Sequence, residues 1–534
     1  MQKLTGLVLV STFILTACGG SDSNSSSTAG GVGISDARGT LQQNPPPLTV
    51  SMSTSAITAN PSWQQNVTIF GSAPICGVDI HYLKFGTVGG AGEATNATGA
   101  LMLPTGSNPA CSGPRPIVVY AHGTAFTKAY NLASSDPNNE ANGETLMIAV
   151  DFAAQGFIVV ATNYAGYDTS QLPYHPYLNA DQQSKDVIDS LTAARAALPS
   201  LGGATDSGKL FITGYSQGGF VAMATHKAMQ AAGQTVTAAA PSSGPYAMGA
   251  FGDTVFLGRP SLLINVLATM IVTSYQHAYG NIYANLTDIY NPTYAANLAN
   301  ILPSSEGLNV LSTGLIAPSI FSNIAPTAPV GASASLQAVL NADTIPPTSP
   351  ALLASTYAAG FGPNFLVTNN YRINYIMDAL ANPDGSVPTL TTGLPAVSPA
   401  NTIRQGFKIN DFRNWTANRP VLLCGGNADP MVYFNANTQN MQQYWTAPSP
   451  AAMASGLFTV LDVDSAITGA NDPYASAKTV FTDLRAYFVE QAIASGATDG
   501  GASAVLQNYH PVLVSSACML AASNFFQQVL ASGQ

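Results

Sequence analysis

Residues 210–219 read LFITGYSQGG, and the rest of the chain is read outward from them. Residues 210–214 form a short apolar run of the kind found in strands buried on both faces of a parallel sheet. The Gly218-Gly219 pair opens a stretch with helical spacing that runs to about Ala232. Between strand and helix, Gly214-Tyr215-Ser216-Gln217-Gly218 has the form G-x-S-x-G in the strand, turn, helix context that this motif requires. So sharp a turn strains the Ser216 backbone and leaves no room for side chains at the glycine positions. Ser216 Oγ is thereby presented above the sheet as a candidate nucleophile. The Gln217 N–H, at the start of the helix, faces any oxyanion that forms there.

The same alternation extends in both directions. Residues 116–121 (PIVVYA) and 156–162 (GFIVVAT) read as buried strands, with a helical stretch ending at Gln155 between them. Residues 182–198 have helical spacing, with Asp181 as the N-cap, and residues 236–240 form a further strand. Strands resume at 420–423 and 457–461, and helices near 475–494 and 512–530 close the chain. Upstream, residues 48–112 alternate polar and apolar with many Thr and Gly, which predicts an antiparallel region. Residues 241–419 are too long a stretch to be a structureless loop and are expected to form a mostly helical cap.

A serine hydroxyl is a poor nucleophile without a base, and the base needs an acid to fix its tautomer. On a turn of this type the acid and then the base follow the nucleophile in the chain. Of His81, His122, His175, His226, His277 and His510, only His510 lies near the C-terminus, in the loop predicted before the last helix. The acid is expected at the polar exit of strand 420–423, where Cys424-Gly425-Gly426-Asn427-Ala428-Asp429-Pro430 offers Asp429. Asp462 and Asp464 remain rivals, as does a purely turn-forming role for Asp429 beside Pro430. A second oxyanion donor is expected in Ala121-His122-Gly123-Thr124, where the choice is the Thr124 N–H and Gly123 allows close approach. His122 is read as packing beneath this loop, and His175 and His226 as structural.

Composition narrows the setting. Hydrophobic residues make up 46% and charged residues 8% of the chain, so its polar surface rests on Asn, Ser, Thr, Gln and Gly, as in many exported proteins. The formal charge is −10, and no Lys/Arg cluster offers the footprint that nucleic acid requires. Residues 1–18 carry Lys3, an apolar run and then Leu15-Thr16-Ala17-Cys18, which resembles a bacterial lipobox. They are read as a lipoprotein signal peptide. Cys18 is then expected to be the lipidation site of an exported protein that is anchored to a membrane, in the periplasm or at the cell surface, or released; a plain signal peptide with an incidental cysteine is the alternative. Residues 19–47, rich in Gly, Ser, Asn and Pro, are expected to be a flexible tether. The remaining Cys76, Cys111, Cys424 and Cys518 form an even set that fits two disulfides, with three pairings open. No C-x-x-C pair exists, so zinc is not indicated, and no metal or cofactor is expected.

On Ala121-His122-Gly123-Thr124, Gly214-Tyr215-Ser216-Gln217-Gly218-Gly219 and Cys424-Gly425-Gly426-Asn427-Ala428-Asp429-Pro430, the chain resembles the α/β-hydrolase superfamily from roughly residue 50 to its end. Within that superfamily it looks most like the secretory lipases of fungi and bacteria, although the His-Gly-Gly-Gly oxyanion motif of some lipases is absent. The resemblance implies an α/β fold with a mostly parallel central sheet. The catalytic domain would comprise residues 48–240 and 420–534, with a large helical cap or lid at 241–419. It also favours the pairings Cys76 with Cys111, flanking the antiparallel lead-in, and Cys424 with Cys518, joining the acid loop to the helix after His510. The implied activity is cleavage of carboxylic esters with an apolar acyl chain by Ser216, Asp429 and His510. The apolar runs 262–272 and 314–321 then either line an acyl pocket or fill the core of the lid. Two alternatives stand beside it: a serine peptidase using the same triad, and a surface lipoprotein that binds a ligand without chemistry.

Overall fold

The computed structural model describes residues 37–59, 73–447, 453 and 456–533. Cys18, the predicted signal segment and most of the predicted tether lie outside these residues.

The central sheet is built from β1 (Leu48–Met52), β2 (Gly77–Val88), β3 (Ala94–Thr105), β4 (Gly113–Ala121), β5 (Ile158–Thr162), β6 (Ala204–Tyr215) and β7 (Ala238–Ser242). Beyond the cap, with its short β8 (Phe321–Ser322) and β9 (Phe361–Gly362), it is completed by β10 (Val421–Gly425) and β11 (Phe458–Asp462). The spatial order is β1-β2-β3-β5-β4-β6-β7-β10-β11. Strands β1, β2, β3 and β5 pair antiparallel, while β5, β4, β6, β7, β10 and β11 run parallel. The antiparallel and parallel regions thus fall where the change of sequence period places them. Val118, Val160, Phe211, Ile212, Ala239 and Leu422 are fully buried, as strands covered on both faces require.

Helices Ala180–Leu201 and Gln217–Ala231 pack against each other on one side of the sheet, and Ser515–Ala531 packs on β6, β7 and β10 from the other. Phe211 of β6 meets Phe526 of that last helix at 4.6 Å between ring centroids. Parallel pairing aligns the strand ends. Ala121 stands opposite Gly214, Tyr215 opposite Ser242, and Ser242 opposite Cys424. The loops that follow β4, β6, β7 and β10 therefore emerge at one edge, where ligand sites in such sheets form.

Three local expectations are corrected. Residues 37–47 are not free tether: Gly39 N–H donates to Gly86 O at 2.8 Å, Leu41 bridges Phe85, and Arg38 pairs with Asp189 at 2.9 Å. The open side of β2 offers main-chain groups that this segment satisfies. Asp181 does not cap its helix. Asn179 does, accepting from Gln182 N–H, while Asp181 pairs with Lys185 one turn on at 2.6 Å. His510 is not in a loop but in a π-helical stretch, Tyr509–Val514, continuous with Ala502–Asn508 and Ser515–Ala531. Pro511, which has no N–H to give to a regular turn, sits inside this widened segment.

Between β7 and β10 the chain forms helices including Met248–Phe256, Ile264–Tyr279, Ala334–Ala342, Asn369–Ala381 and Thr402–Ile409, together with the parallel β8 and β9 pair. Two buried arginines each hold two carboxylates, and Arg404 ties the outgoing helix to the returning one. Arg404 grips Asp253 through two nitrogens, at 2.9 and 2.7 Å, and Asp378 through a third at 2.7 Å. Arg413 does the same with Asp384 and Asp411, each reached at 2.7 Å. Disulfides join Cys76 to Cys111 and Cys424 to Cys518.

Removing one member of a buried ion cluster strands the others without a counter-charge, at a cost of about 3–5 kcal/mol. Arg413→Met is therefore expected to lower the denaturation midpoint strongly, whereas Arg195→Met, at an exposed pair with Asp206, shifts it little. Equal midpoints in urea titrations of the two variants would show that the Arg413 cluster does not hold the cap.

Candidate active site

The turn between β6 and helix Gln217–Ala231 puts Ser216 at φ 59° and ψ −120°, a conformation that L-residues rarely adopt. Tight approach enforces it. A Cβ on Gly218 would stand 1.8 Å from Ala121 O, and one on Gly214 would stand 2.4 Å from Gly218 O, so both positions admit only glycine. Ser216 N–H donates to Ser242 O at 3.0 Å, tying the turn to the end of β7.

From there the polar chain runs through the predicted residues. Ser216 Oγ donates to His510 Nε2 at 2.8 Å, and His510 Nδ1 donates to Asp429 Oδ2 at 2.7 Å. The Asp429 carboxylate is held by four donors: that histidine, Ser243 Oγ at 2.7 Å, and the N–H groups of Met431 and Val432 at 2.9 and 3.0 Å. The bond to Asp429 fixes the proton on His510 Nδ1, leaving the Nε2 lone pair toward the serine. The rival acids are engaged elsewhere. Asp462 accepts from Asn427, and Asp464 accepts from Tyr509 OH at 2.8 Å.

Sequence reading missed two contributors. Ser243, at φ 45°, follows β7 directly; with that strand read as ending at Ala240, the serine fell outside the strand-end positions considered. Tyr215, inside the motif itself, donates its buried hydroxyl to the His510 carbonyl. Burial pushes that phenol well above its ordinary pKa, so it remains a donor.

The loop after β4 carries the other expected donor. Among the described residues, neither the Thr124 N–H nor the Gln217 N–H meets an acceptor, whereas the Gly123 N–H between the two chain segments is taken by Glu144 at 3.1 Å. Glu144 also accepts from Tyr120 OH and Tyr130 OH, each at 2.6 Å. His122 packs beneath this loop, fully buried and stacked on Tyr130 and Tyr164 at 4.3 and 4.1 Å between centroids. Burial lowers its pKa.

Two cavities stand out among the described residues. One, of about 60 Å³, is lined by apolar side chains of the cap, among them Phe251, Ile264, Ala268, Ile271, Ile320 and Phe407. The other, of about 700 Å³, borders Asp429 and has a mixed wall, with Asn427, Gln439 and Asn440 beside Leu353, Val387 and Phe434. Ser216 lines neither.

If Asp429 sets the His510 tautomer, Asp429→Asn slows labelling of Ser216 by a serine-directed phosphonate on the order of 10⁴-fold. Asp464→Asn, which removes the charge paired with Arg485 instead, is expected to keep most of the labelling rate. A comparable loss in both variants would remove Asp429 from its place as the acid.

The prolyl oligopeptidase family (Peptidase_S9) matches residues 146–256, a minority of the chain that includes Ser216 but reaches neither Asp429 nor His510. No curated protein matches the chain. Among solved structures, a ligand-bound form of the rice cell wall degrading esterase LipA from Xanthomonas oryzae is similar at 23% identity and a TM-score of 0.60, covering 91% of this chain and 97% of the other. A protein of Legionella pneumophila is similar at 17% identity and a TM-score of 0.52, covering 79% of this chain and 91% of the other. At these identities the likeness is one of fold, and with the sheet order and the serine turn it makes the chain an α/β-hydrolase fold with a long insertion after β7.

Proposed function

We propose that the protein is a serine hydrolase that cleaves carboxylic esters through an acyl-enzyme on Ser216. The observation that carries this reading is the continuous hydrogen-bonded series from Ser216 Oγ through His510 to Asp429, set beside two main-chain N–H groups with no acceptor among the described residues. His510 Nε2 takes the serine proton as Oγ attacks the ester carbonyl, and Asp429 stabilises the imidazolium. The Thr124 and Gln217 N–H groups hold the oxyanion, each contributing roughly 3 kcal/mol to the transition state. The imidazolium then protonates the departing alkoxide. A water molecule, deprotonated by the same nitrogen, attacks the acyl-enzyme and frees Ser216.

The apolar cavity in the cap supports an aliphatic acyl group. Ile264, Ala268, Ile271 and Val272 come from one of the apolar runs singled out in the sequence, and Ile320 from the other. An ester, not an amide, is favoured by the similarity in fold to an esterase over almost the whole chain. The match to the prolyl oligopeptidase family keeps a peptidase as the second reading. Export and anchoring through a lipidated Cys18 belong to the same proposal, supported by Leu15-Thr16-Ala17-Cys18 and by two disulfides of the sort that oxidising compartments sustain.

The decisive assay is hydrolysis of p-nitrophenyl esters from acetate to palmitate by the wild type and by Ser216→Ala. Activity lost in the variant is the expected result; a wild type inactive on every ester but active on peptide anilides would replace the esterase with the peptidase. With the cavity as acyl site, Ala268→Phe shifts the preferred chain length downward, and an unchanged chain-length profile would move the acyl site elsewhere.

A further inference from the structure

The histidine at position 175 has no part in the scheme above, yet it touches the residue that follows the nucleophile. Gln217 is 1% exposed, and its side-chain amide donates to His175 Nε2 at 2.6 Å. We propose that His175 is a positioning residue for the oxyanion hole: it holds the Gln217 side chain and, through it, the direction of the Gln217 main-chain N–H. This rests on the nucleophilic role of Ser216 but not on whether the substrate is an ester.

The tautomer follows from geometry. His175 Nδ1 faces the Ala165 carbonyl at 2.9 Å and must carry the proton there, which leaves Nε2 with the lone pair that Gln217 needs. Burial holds the ring's pKa down to about 3, so it keeps this neutral form across the working range. Its own place is secured from behind. Ala165 N–H donates to the buried Asp186 Oδ2 at 2.5 Å, and the rings of Tyr164 and Tyr167 pack against the imidazole at 5.5 and 4.7 Å. Gln217 Oε1 is buried without a partner. An apolar residue would avoid that cost, so the carboxamide is there for what its nitrogen donates.

The same loop holds the other arm of the hole. Tyr177 OH meets Thr124 Oγ1 at 2.8 Å, Tyr167 OH donates to Ala125 O at 2.6 Å, and Tyr164 OH donates to His122 O at 3.1 Å. Residues 164–177, between β5 and helix Ala180–Leu201, therefore bear on both donors at once. Donors of this kind work only when fixed in advance, and a displacement of about 1 Å costs roughly 100-fold in rate.

The test uses His175→Phe, Gln217→Met and the double variant in the full chain. Gln217→Met is the safeguard against a folding failure, since it leaves the main-chain N–H in place and removes only the link to His175. Two readouts are taken: kcat and KM on a p-nitrophenyl ester, and the rate at which a phosphonate labels Ser216, which loads the oxyanion hole whatever the natural substrate. Each single variant is expected to lose roughly 10- to 100-fold in kcat and in labelling rate with KM within about twofold, and the double variant no more than the worse single. Wild-type kcat and labelling in Gln217→Met, or losses that multiply in the double variant, would overturn the proposal. Failure of the ester reading looks different: no ester turnover in the wild type, with phosphonate labelling of Ser216 intact and still sensitive to both substitutions.

Discussion

The backbone at Ser216 is held where few L-residues go, and most of the site depends on that strain being imposed from several sides. Helix Gln217–Ala231 starts so close to the sheet that Gly218 lies against Ala121 O and Gly219 against Ser242 O. Those two contacts come from β4 and β7, the neighbours of β6, so the turn is locked by the strands that also carry the loops around it. The Ser216 N–H bond to Ser242 O and the Ser243 N–H bond to Cys424 O extend the lock to β10. Ser243 then reaches Asp429, and Asp429 reaches His510. A single steric condition, close packing of a helix on strand ends, is thus propagated by hydrogen bonds to Ser216, Asp429 and His510. The strain costs of order 1–3 kcal/mol, which the fully buried parallel strands beneath can offset.

Why the sheet and the serine turn were legible in the sequence, and other parts were not, follows from the range of the forces involved. Parallel strands must be apolar along their length, so β4, β5, β6 and β10 announce themselves, although β6 starts earlier and β7 ends later than composition indicates. Ser216 is marked by glycines that sterics demand. Chain order points to His510 and Asp429 with Asp462 and Asp464 as rivals, and only tertiary contacts show that Asn427 and Tyr509 engage those rivals while Asp429 meets His510. The helix cap passed from Asp181 to Asn179 because both are good capping types and only the backbone angle at 179 decides. His510 in a π-helical turn was out of reach, since Pro511 in sequence argues for a break and not for a widened helix. Ser243 and His175 act through residues far away in the chain, and no local pattern marks them.

The insertion illustrates how a charge-poor chain spends its ions. Charged residues are 8% of the sequence, yet Arg404 and Arg413 are buried with two carboxylates each. Their partners are not random. Asp253 lies on helix Met248–Phe256, which leaves the sheet after β7, while Arg404 lies on helix Thr402–Ile409, which returns toward β10. Asp411, just after that returning helix, accepts from Gly249 N–H of the outgoing one at 3.0 Å. Both clusters therefore clasp departure to return at the base of the insertion, beside two strands that pair with each other. Buried ion pairs of this kind add little net stability compared with apolar packing, but they tolerate no slippage, because any shift leaves a charge unpaired in a dry interior. Hydrophobic contacts alone would allow the two segments to slide. With the base clasped, a rearrangement of the cap that keeps these pairs intact is confined to the stretch between Phe256 and Asp378, which includes helix Ile264–Tyr279 and most of the apolar cavity. The shape of that cavity can then vary without disturbing the strand ends on which Ser216, Asp429 and the two free N–H groups depend.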